Sequence, residues 1–192
     1  MRVIGGRSRG RRLAARLPTT VRPTSDRVRE SIFDILGSRG GVEGLRVVDL
    51  FCGSGALGVE ALSRGAEHVT FVDSDPAALG AVRENLAAVG LDHEPVTVVR
   101  ASLPAWLATT TAEFDLALCD PPYAFDDWAA LLGSLRAGVV VVESGAPLPL
   151  PDGWPDGYMV TRERRYGSTL VTVAERAVPG DTQHGGTEGD DE

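Results

Sequence analysis

Residues 46–58, RVVDLFCGSGALG, decide the fold. RVVDLF (46–51) is a short, β-branched apolar run that reads as a buried strand. ALGVEALSR (56–64) reads as a helix that stops at Gly65. Between them Gly53, Gly55 and Gly58 satisfy G-x-G-x-x-G. Such a turn lets backbone amides at a helix N-terminus approach a ligand closely. Working outward, strand and helix alternate. HVTFVD (68–73) is a strand, and PAALGAVRENLAAVG (76–90) is a helix opened by Pro and closed by Gly. PVTVVR (95–100) is a strand with a short helix after it near LPAWLA, and FDLALCD (114–120) is a strand followed by a helix around 126–135. GVVVVES (138–144) is a strand, and residues 158–176 read as a closing hairpin turning at Gly167-Ser168. This alternation predicts an α/β fold, a Rossmann-like, doubly wound, mostly parallel seven-stranded sheet with helices on both faces and an antiparallel pair at its end.

The N-terminal part departs from that rhythm. RVIGGRSRGRRLAA (2–15) reads as a short hairpin punctuated by Gly5, Gly6 and Gly10, with Arg7, Arg9, Arg11 and Arg12 at its tip. RPTS (22–25) supplies Pro23 and a helix cap at Thr24 or Ser25. The helix that follows runs to about Leu36, with Val28, Ile32, Ile35 and Leu36 on one apolar face and Arg27 and Arg29 off it. Three segments are expected: a basic hairpin and helix over 1–40, a ligand-binding α/β domain over 41–177, and a Gly-rich acidic tail over 178–192, expected to be disordered.

Ligands of open parallel sheets bind beyond the carboxyl ends of the strands. Asp49, Phe51, Gly53, Ser54 and Gly55 follow the first such end. Asp73 and Ser74 follow the second, Ala101 and Ser102 the third, and Asp120-Pro121-Pro122-Tyr123 the fourth. The glycines together with Asp73 would also serve a nicotinamide dinucleotide, the acid taking the ribose hydroxyls. Two features favour S-adenosylmethionine. Asp49, four residues before Gly53, would repel two phosphates but attract a cationic methionine end. The second is D-P-P-Y, which hydride transfer does not call for. There Asp120 can accept a hydrogen bond from an exocyclic amine of a nucleobase. The two prolines remove backbone donors and leave carbonyls to accept, and Tyr123 offers a face on which a base can stack. Ala101 and Ser102 would meet the adenine, chiefly through backbone. Methyl transfer to such an amine is an in-line displacement helped mainly by positioning, and the base must leave its stack to reach the pocket.

Charge adds a partner. The net charge is −8, yet residues 1–46 carry 11 Arg against 4 acids while the remaining residues balance at −15. All 19 basic residues are Arg, whose planar fork suits phosphate. A basic end on an acidic chain suggests an anionic partner. The two cysteines, Cys52 and Cys119, lack C-x-x-C spacing, and His68, His93 and His184 are scattered, so neither a metal site nor a Cys-His nucleophile is expected. No apolar run approaches membrane-spanning length and residues 1–16 have no secretory apolar stretch, so a cytoplasmic protein is expected.

Four segments resemble the RsmD family of bacterial 16S ribosomal RNA guanine-N2 methyltransferases, class I S-adenosylmethionine-dependent enzymes. RVIGGRSRGRRL is similar to that family's N-terminal segment and RPTSDRVRESIFDIL to its next one. DLFCGSGALGVEALSRGA resembles its cofactor loop, and DPPY its catalytic motif, with Tyr166-Gly167 like its closing pair. The resemblance spans about residues 1–176. It implies methyl transfer to the exocyclic N2 of one guanine in 16S rRNA, within a small ribosomal subunit or an assembly intermediate; separately, a monomer is expected. Asp120, Pro121, Pro122 and Tyr123 would carry catalysis, while Arg7, Arg9, Arg11, Arg22, Arg27 and Arg29 would dock RNA through phosphates. An internal ion-pair network around Arg22, Asp26, Arg27 and Glu30 is the competing reading of that helix. Two other functions stay open: a DNA adenine-N6 methyltransferase, which shares D-P-P-Y, and a non-catalytic RNA-binding assembly protein.

Overall fold

The computed structural model describes residues 1–14, 26–150, 152–155 and 157–177. Pro23, the caps at Thr24 and Ser25, Arg22 and the acidic tail lie outside the described residues. Seven strands form one sheet: β1 (Arg46–Leu50), β2 (His68–Asp73), β3 (Val96–Arg100), β4 (Phe114–Cys119), β5 (Ala137–Ser144), β6 (Tyr158–Tyr166) and β7 (Thr169–Arg176). Their order across the sheet is β3-β2-β1-β4-β5-β7-β6. The first five run parallel; β7 pairs antiparallel with both β5 and β6. The order reverses between β1 and β4, so a crevice opens beyond their carboxyl ends. The mostly parallel, doubly wound sheet read from the sequence is the one observed.

Among the described residues, α1 (Asp26–Gly37) precedes the sheet, and α2 (Ala56–Ser63), α3 (Pro76–Ala88), α4 (Ala105–Thr109) and α5 (Trp128–Ser134) connect its parallel strands. They divide the apolar interior in two. Val3, α1, α2 and α3 pack one face of the sheet, through Val28, Ile32, Phe33, Leu62 and Val82 against Val47, Val69, Phe71 and Val141. The other face holds α4 and α5, with Leu107, Trp128, Leu131 and Leu132 against Val48, Val72, Ala117 and Val140. Cys52 and Cys119 are buried and free, and burial raises both thiol pKa values. No helix among the described residues is long and apolar enough to cross a membrane.

The N-terminal hairpin is built into this frame. Arg2 and Arg12 pair antiparallel, and Val3 donates to the Arg11 carbonyl at 2.9 Å. The turn lies on the last part of α2. Gly6 has φ +72°, and a Cβ there would come within 1.9 Å of the Ser63 carbonyl oxygen, so only glycine fits. Glu60, 1% exposed on α2, accepts from the backbone N–H of Ile4 at 2.8 Å and of Gly5 at 2.7 Å. Arg64 Nε donates to Glu60 at 2.8 Å, and Arg29 Nε lies 3.7 Å from it.

That arrangement corrects one expectation. Arg29 is fully buried rather than solvent-facing. Its guanidinium donates to the Arg2 carbonyl and to Asp26 at 3.0 Å, and reaches Glu60 inside the protein. A charge so enclosed does not contact RNA phosphates; it is held by a buried carboxylate, because neither ion could remain there alone. An internal network does hold this helix, but it is built by Arg29 and Glu60; of Arg22, Asp26, Arg27 and Glu30, from which one was expected, Asp26 joins it, Arg27 and Glu30 are exposed, and Arg22 lies outside the described residues.

Candidate active site

The loop after β1 is shaped by backbone rather than side chains. Phe51 adopts φ +56°, a conformation that costs energy in any residue but glycine, and it turns the chain back sharply at the end of the strand. Cys52 N–H then bonds the Val72 carbonyl at 3.1 Å, and Gly55 N–H the Cys52 carbonyl at 2.7 Å. Asn85 of α3 donates to the Ser54 carbonyl at 2.8 Å, fixing the loop from the side. Gly58 sits where α2 presses on β2: a Cβ there would meet the Phe71 ring at 2.3 Å. The third glycine of the fingerprint thus serves helix–strand packing.

Two of the expected acids brace this loop. Asp73 accepts from Gly53 N–H at 2.9 Å and from Asp75 N–H at 2.9 Å, so one carboxylate ties the β1 loop to the β2 loop. Each of its oxygens retains further acceptor capacity. Asp49, 1% exposed, accepts from Gly58 N–H at 2.9 Å, beside the first turn of α2. Burial pushes its pKa well above the ordinary carboxylate value. The Gly58 hydrogen bond opposes that rise, while the negative charges of Asp120 and Asp73 reinforce it.

Leu50 pairs with Val72 of β2 and Cys119 of β4, so Asp73 and Asp120 come off the sheet on either side of the β1 end, near enough for both charges to act on Asp49. The β3 loop joins through Ala101 N–H, which bonds the Asp73 carbonyl at 3.0 Å; Ser102 and Ser74 are exposed beside it. On the β4 side, Asp120 and Pro121 are half-buried and Pro122 is exposed. Tyr123 is 69% exposed, its ring beside Gly145, where a Cβ would approach Cε1 at 3.2 Å. Four of the predicted loops therefore do meet at one place.

A contact that the sequence analysis missed connects two of them. Phe125 N–H bonds the Pro122 carbonyl at 2.8 Å. Its ring meets Phe51 edge-on, centroids 5.0 Å apart, and Trp128 of α5 at 5.1 Å. The glycine loop and the D-P-P-Y loop are thus locked through Phe51 and Phe125. The signal in the sequence was an aromatic two residues after Tyr123, without anything to name its partner.

Two of the basic residues, Arg7 and Arg11, are tied down away from this crevice. Arg7 donates to the Leu62 carbonyl at 3.2 Å and pairs with Glu94 at 2.8 Å; Arg11 donates to the Val89 carbonyl at 2.6 Å. Leu62 and Val89 stand at the carboxyl ends of α2 and α3, and Glu94 just precedes β3. These are features of the edge where the parallel strands begin. Strands of five or six residues separate it from the crevice, about 17–20 Å. Arg9 is exposed at the same end and Arg27 on α1.

A bound group should suit this donor set. Three carboxylates about a loop of tightly bonded amides disfavour a pyrophosphate and suit a ligand that brings positive charge. The S-adenosylmethionine reading passes that test on the charge of the residues present.

Relatives agree in fold and in length. A candidate rRNA methyltransferase of Bacillus subtilis, YlbH, is 38% identical over 185 residues, covering 92% of this chain and 99% of its own. The Escherichia coli ribosomal RNA small subunit methyltransferase D is 32% identical over 189 residues, with 95% and 93% covered. Among solved structures, the E. coli candidate methyltransferase yhhF superposes with a TM-score of 0.79 at 32% identity, covering 92% of this chain and 98% of that one. A Thermus thermophilus protein, TTHA0928, does so at 0.72 and 33%, with 91% and 99% covered. The fold is that of the class I methyltransferases. Residues 1–175 match the family described as Conserved hypothetical protein 95, and this chain belongs to it, the family of the small-subunit methyltransferase RsmD.

Proposed function

We propose that this protein methylates the exocyclic N2 of a guanine in 16S ribosomal RNA, using S-adenosylmethionine, with the RNA presented in a small ribosomal subunit or an assembly intermediate. The observation that carries the reading is the meeting of Asp49, Asp73 and the D-P-P-Y loop in one crevice at the switch point of the sheet. Relatives named as ribosomal RNA small subunit methyltransferase D supply the class of substrate.

Residue roles follow from charge and reach. Asp49 would face the cationic methionine portion and Asp73 the ribose hydroxyls, with backbone from Phe51 to Gly55 lining the cradle. Ser74, Ala101 and Ser102 border the adenine. When bound, S-adenosylmethionine supplies a sulfonium-activated methyl: the amine nitrogen forms a bond to its carbon, the carbon–sulfur bond breaks, and that electron pair stays on sulfur. Asp120 and the Pro121 carbonyl accept the two N–H hydrogens of the target amine. They hold the amine out of the ring plane, so its lone pair is less delocalised and points at the donor. The proton released by nitrogen leaves along its bond to Asp120. Tyr123, broadly exposed at the rim, stacks on the extruded base. No nucleophilic side chain is required, which agrees with two buried thiols held protonated.

The test is label transfer. Small subunits from cells lacking this gene, matching naked 16S RNA, and duplex DNA are each incubated with the protein and methyl-labelled S-adenosylmethionine, then digested to nucleosides. Label in N2-methylguanosine is expected. Label in N6-methyladenine from DNA would replace the substrate assignment, and cofactor binding without transfer to any of the three would remove the enzymatic reading.

A further inference from the structure

Arg7 and Arg11, two of the arginines expected to dock RNA, are tied down at the end of the sheet where the parallel strands begin, away from the crevice. Another set lies at the crevice end. β6 is an edge strand, and within four residues it carries Arg162, Arg164 and Arg165, all exposed. Because β6 runs parallel to β5 across the intervening β7, its carboxyl end emerges at the crevice. Arg165 Nη1 donates to the Gly145 carbonyl at 3.3 Å, and the Tyr123 ring stands beside the same glycine. A continuous run thus extends from the exposed Tyr123, over Gly145, to Arg165.

The run is net positive, three arginines against one acid. Glu163, the one acid among these residues, accepts from Thr172 Oγ1 at 3.1 Å. Nearby Glu175 is neutralised by Arg39 at 2.7 Å, a pairing that lowers its pKa. Arg164 lies over the Tyr166 ring at 5.4 Å, which holds its guanidinium plane in place. The pleat turns Arg162 and Arg164 to one side of the sheet and Arg165 to the other. The three charges therefore straddle an unpaired edge over about 10 Å. They account for three of the eight arginines beyond residue 46, in a stretch that otherwise balances strongly negative. Protein edges are ordinarily blunted with isolated charges; here the charges are clustered beside the residue on which a base stacks.

We propose that Arg162, Arg164 and Arg165 form the track for the substrate RNA backbone, gripping the single-stranded phosphates that flank the target nucleotide as its base turns over Tyr123. This rests on the methyltransferase reading above. Two measurements keep the claims apart: equilibrium binding to a 16S RNA fragment at several salt concentrations, and steady-state transfer to the subunit. The variant is R162A/R164A/R165A, with Arg83→Ala on α3 as a charge control and cofactor binding as the check on folding. The triple variant is expected to weaken RNA binding and raise KM at least about tenfold while changing kcat little. The slope of log affinity against log salt should fall in magnitude by about 2, as three lost single-strand phosphate contacts imply. RNA affinity and salt slope equal to wild type would overturn the proposal. So would a loss of action on the subunit with unchanged RNA affinity, which would seat a protein on this edge. Absence of transfer by the wild-type protein would instead break the functional reading, while leaving the binding comparison decisive for the track.

Discussion

The two edges of the parallel sheet use charge in opposite ways. Where the strands begin, the basic hairpin is pinned by a buried ion cluster: Glu60 accepts two backbone N–H groups and Arg64, and Arg29 fills the space beside it. Where the strands end, three carboxylates are crowded without a cation of the protein's own among the causes that shift Asp49, and arginines stand outside on β6. At the first edge Glu60, Arg64, Arg7 and Arg11 spend their polar groups on the fold itself. The second has left a negative pocket beside a positive rim, an arrangement that becomes favourable only with a cation inside and a polyanion outside. Residue type alone does not separate a staple from a docking group; what the guanidinium already touches does.

That contrast can be broken at either edge. The largest effect is expected at Asp120. Asp120→Ala should lower kcat for methyl transfer by at least about 100-fold, the scale of losing a positioned polar group at a reacting centre. Cofactor binding, read by calorimetry, should survive; transfer at wild-type rate would remove Asp120 from the mechanism. Next is Glu60→Ala, which strands the Arg29 charge in the interior and should cost about 3–5 kcal/mol in denaturant unfolding. A loss below about 1 kcal/mol would show that the cluster is not the staple described.

Asp49 sharpens the comparison through pH. Its pKa is raised in the folded protein, so the native state holds a proton more tightly than the unfolded chain does. Its contribution to stability is therefore fully present below the ordinary carboxylate value and is lost as pH rises through the raised one. A cationic ligand favours the ionised form, so binding should release protons in that window and tighten as pH rises. Calorimetry in buffers of different ionisation enthalpy reads this directly. Asp49→Asn should abolish the proton release and weaken cofactor binding about tenfold, while leaving the fold no less stable at neutral pH. Proton uptake, or no exchange, would mean the ligand's charge lies elsewhere. The smallest effect is expected at the strand-start edge: Arg9→Ala, distant from the crevice, should change KM for the subunit less than about threefold.

Much of this molecule was readable because local chemistry and tertiary role agree. Gly53, Gly55 and Gly58, Pro76 and Gly90, and the β-branched runs each mark a strand or a helix boundary that stands within a residue or two of the expected place. Asp49, Asp73 and Asp120 were found because strand ends of a parallel sheet must share a side. Arg29 was misplaced because its spacing with Phe33 and Leu36, i+4 and i+7, was not weighed against its charge; an arginine on an apolar stripe implies a buried acid, but Glu60 lies 31 residues away and nothing local points to it. Phe51 with Phe125, and Arg165 with Gly145, are likewise pairings across the fold. The arginines of β6 looked like any solvated strand until the strand order placed their end beside Tyr123.

That strand order has a consequence for how the protein is made. β7 (Thr169–Arg176) lies between β5 and β6, and Leu170, Val171, Val173 and Ala174 are buried there. A nascent chain therefore cannot complete its sheet until this late segment has left the ribosome. Until then the outer side of β5 is open, β6 has no partner, and Arg165 has no fixed Gly145 to reach. Product truncated before residue 169 would carry every residue of the crevice from Asp49 to Tyr123 and still present the open edge of β5 to another chain.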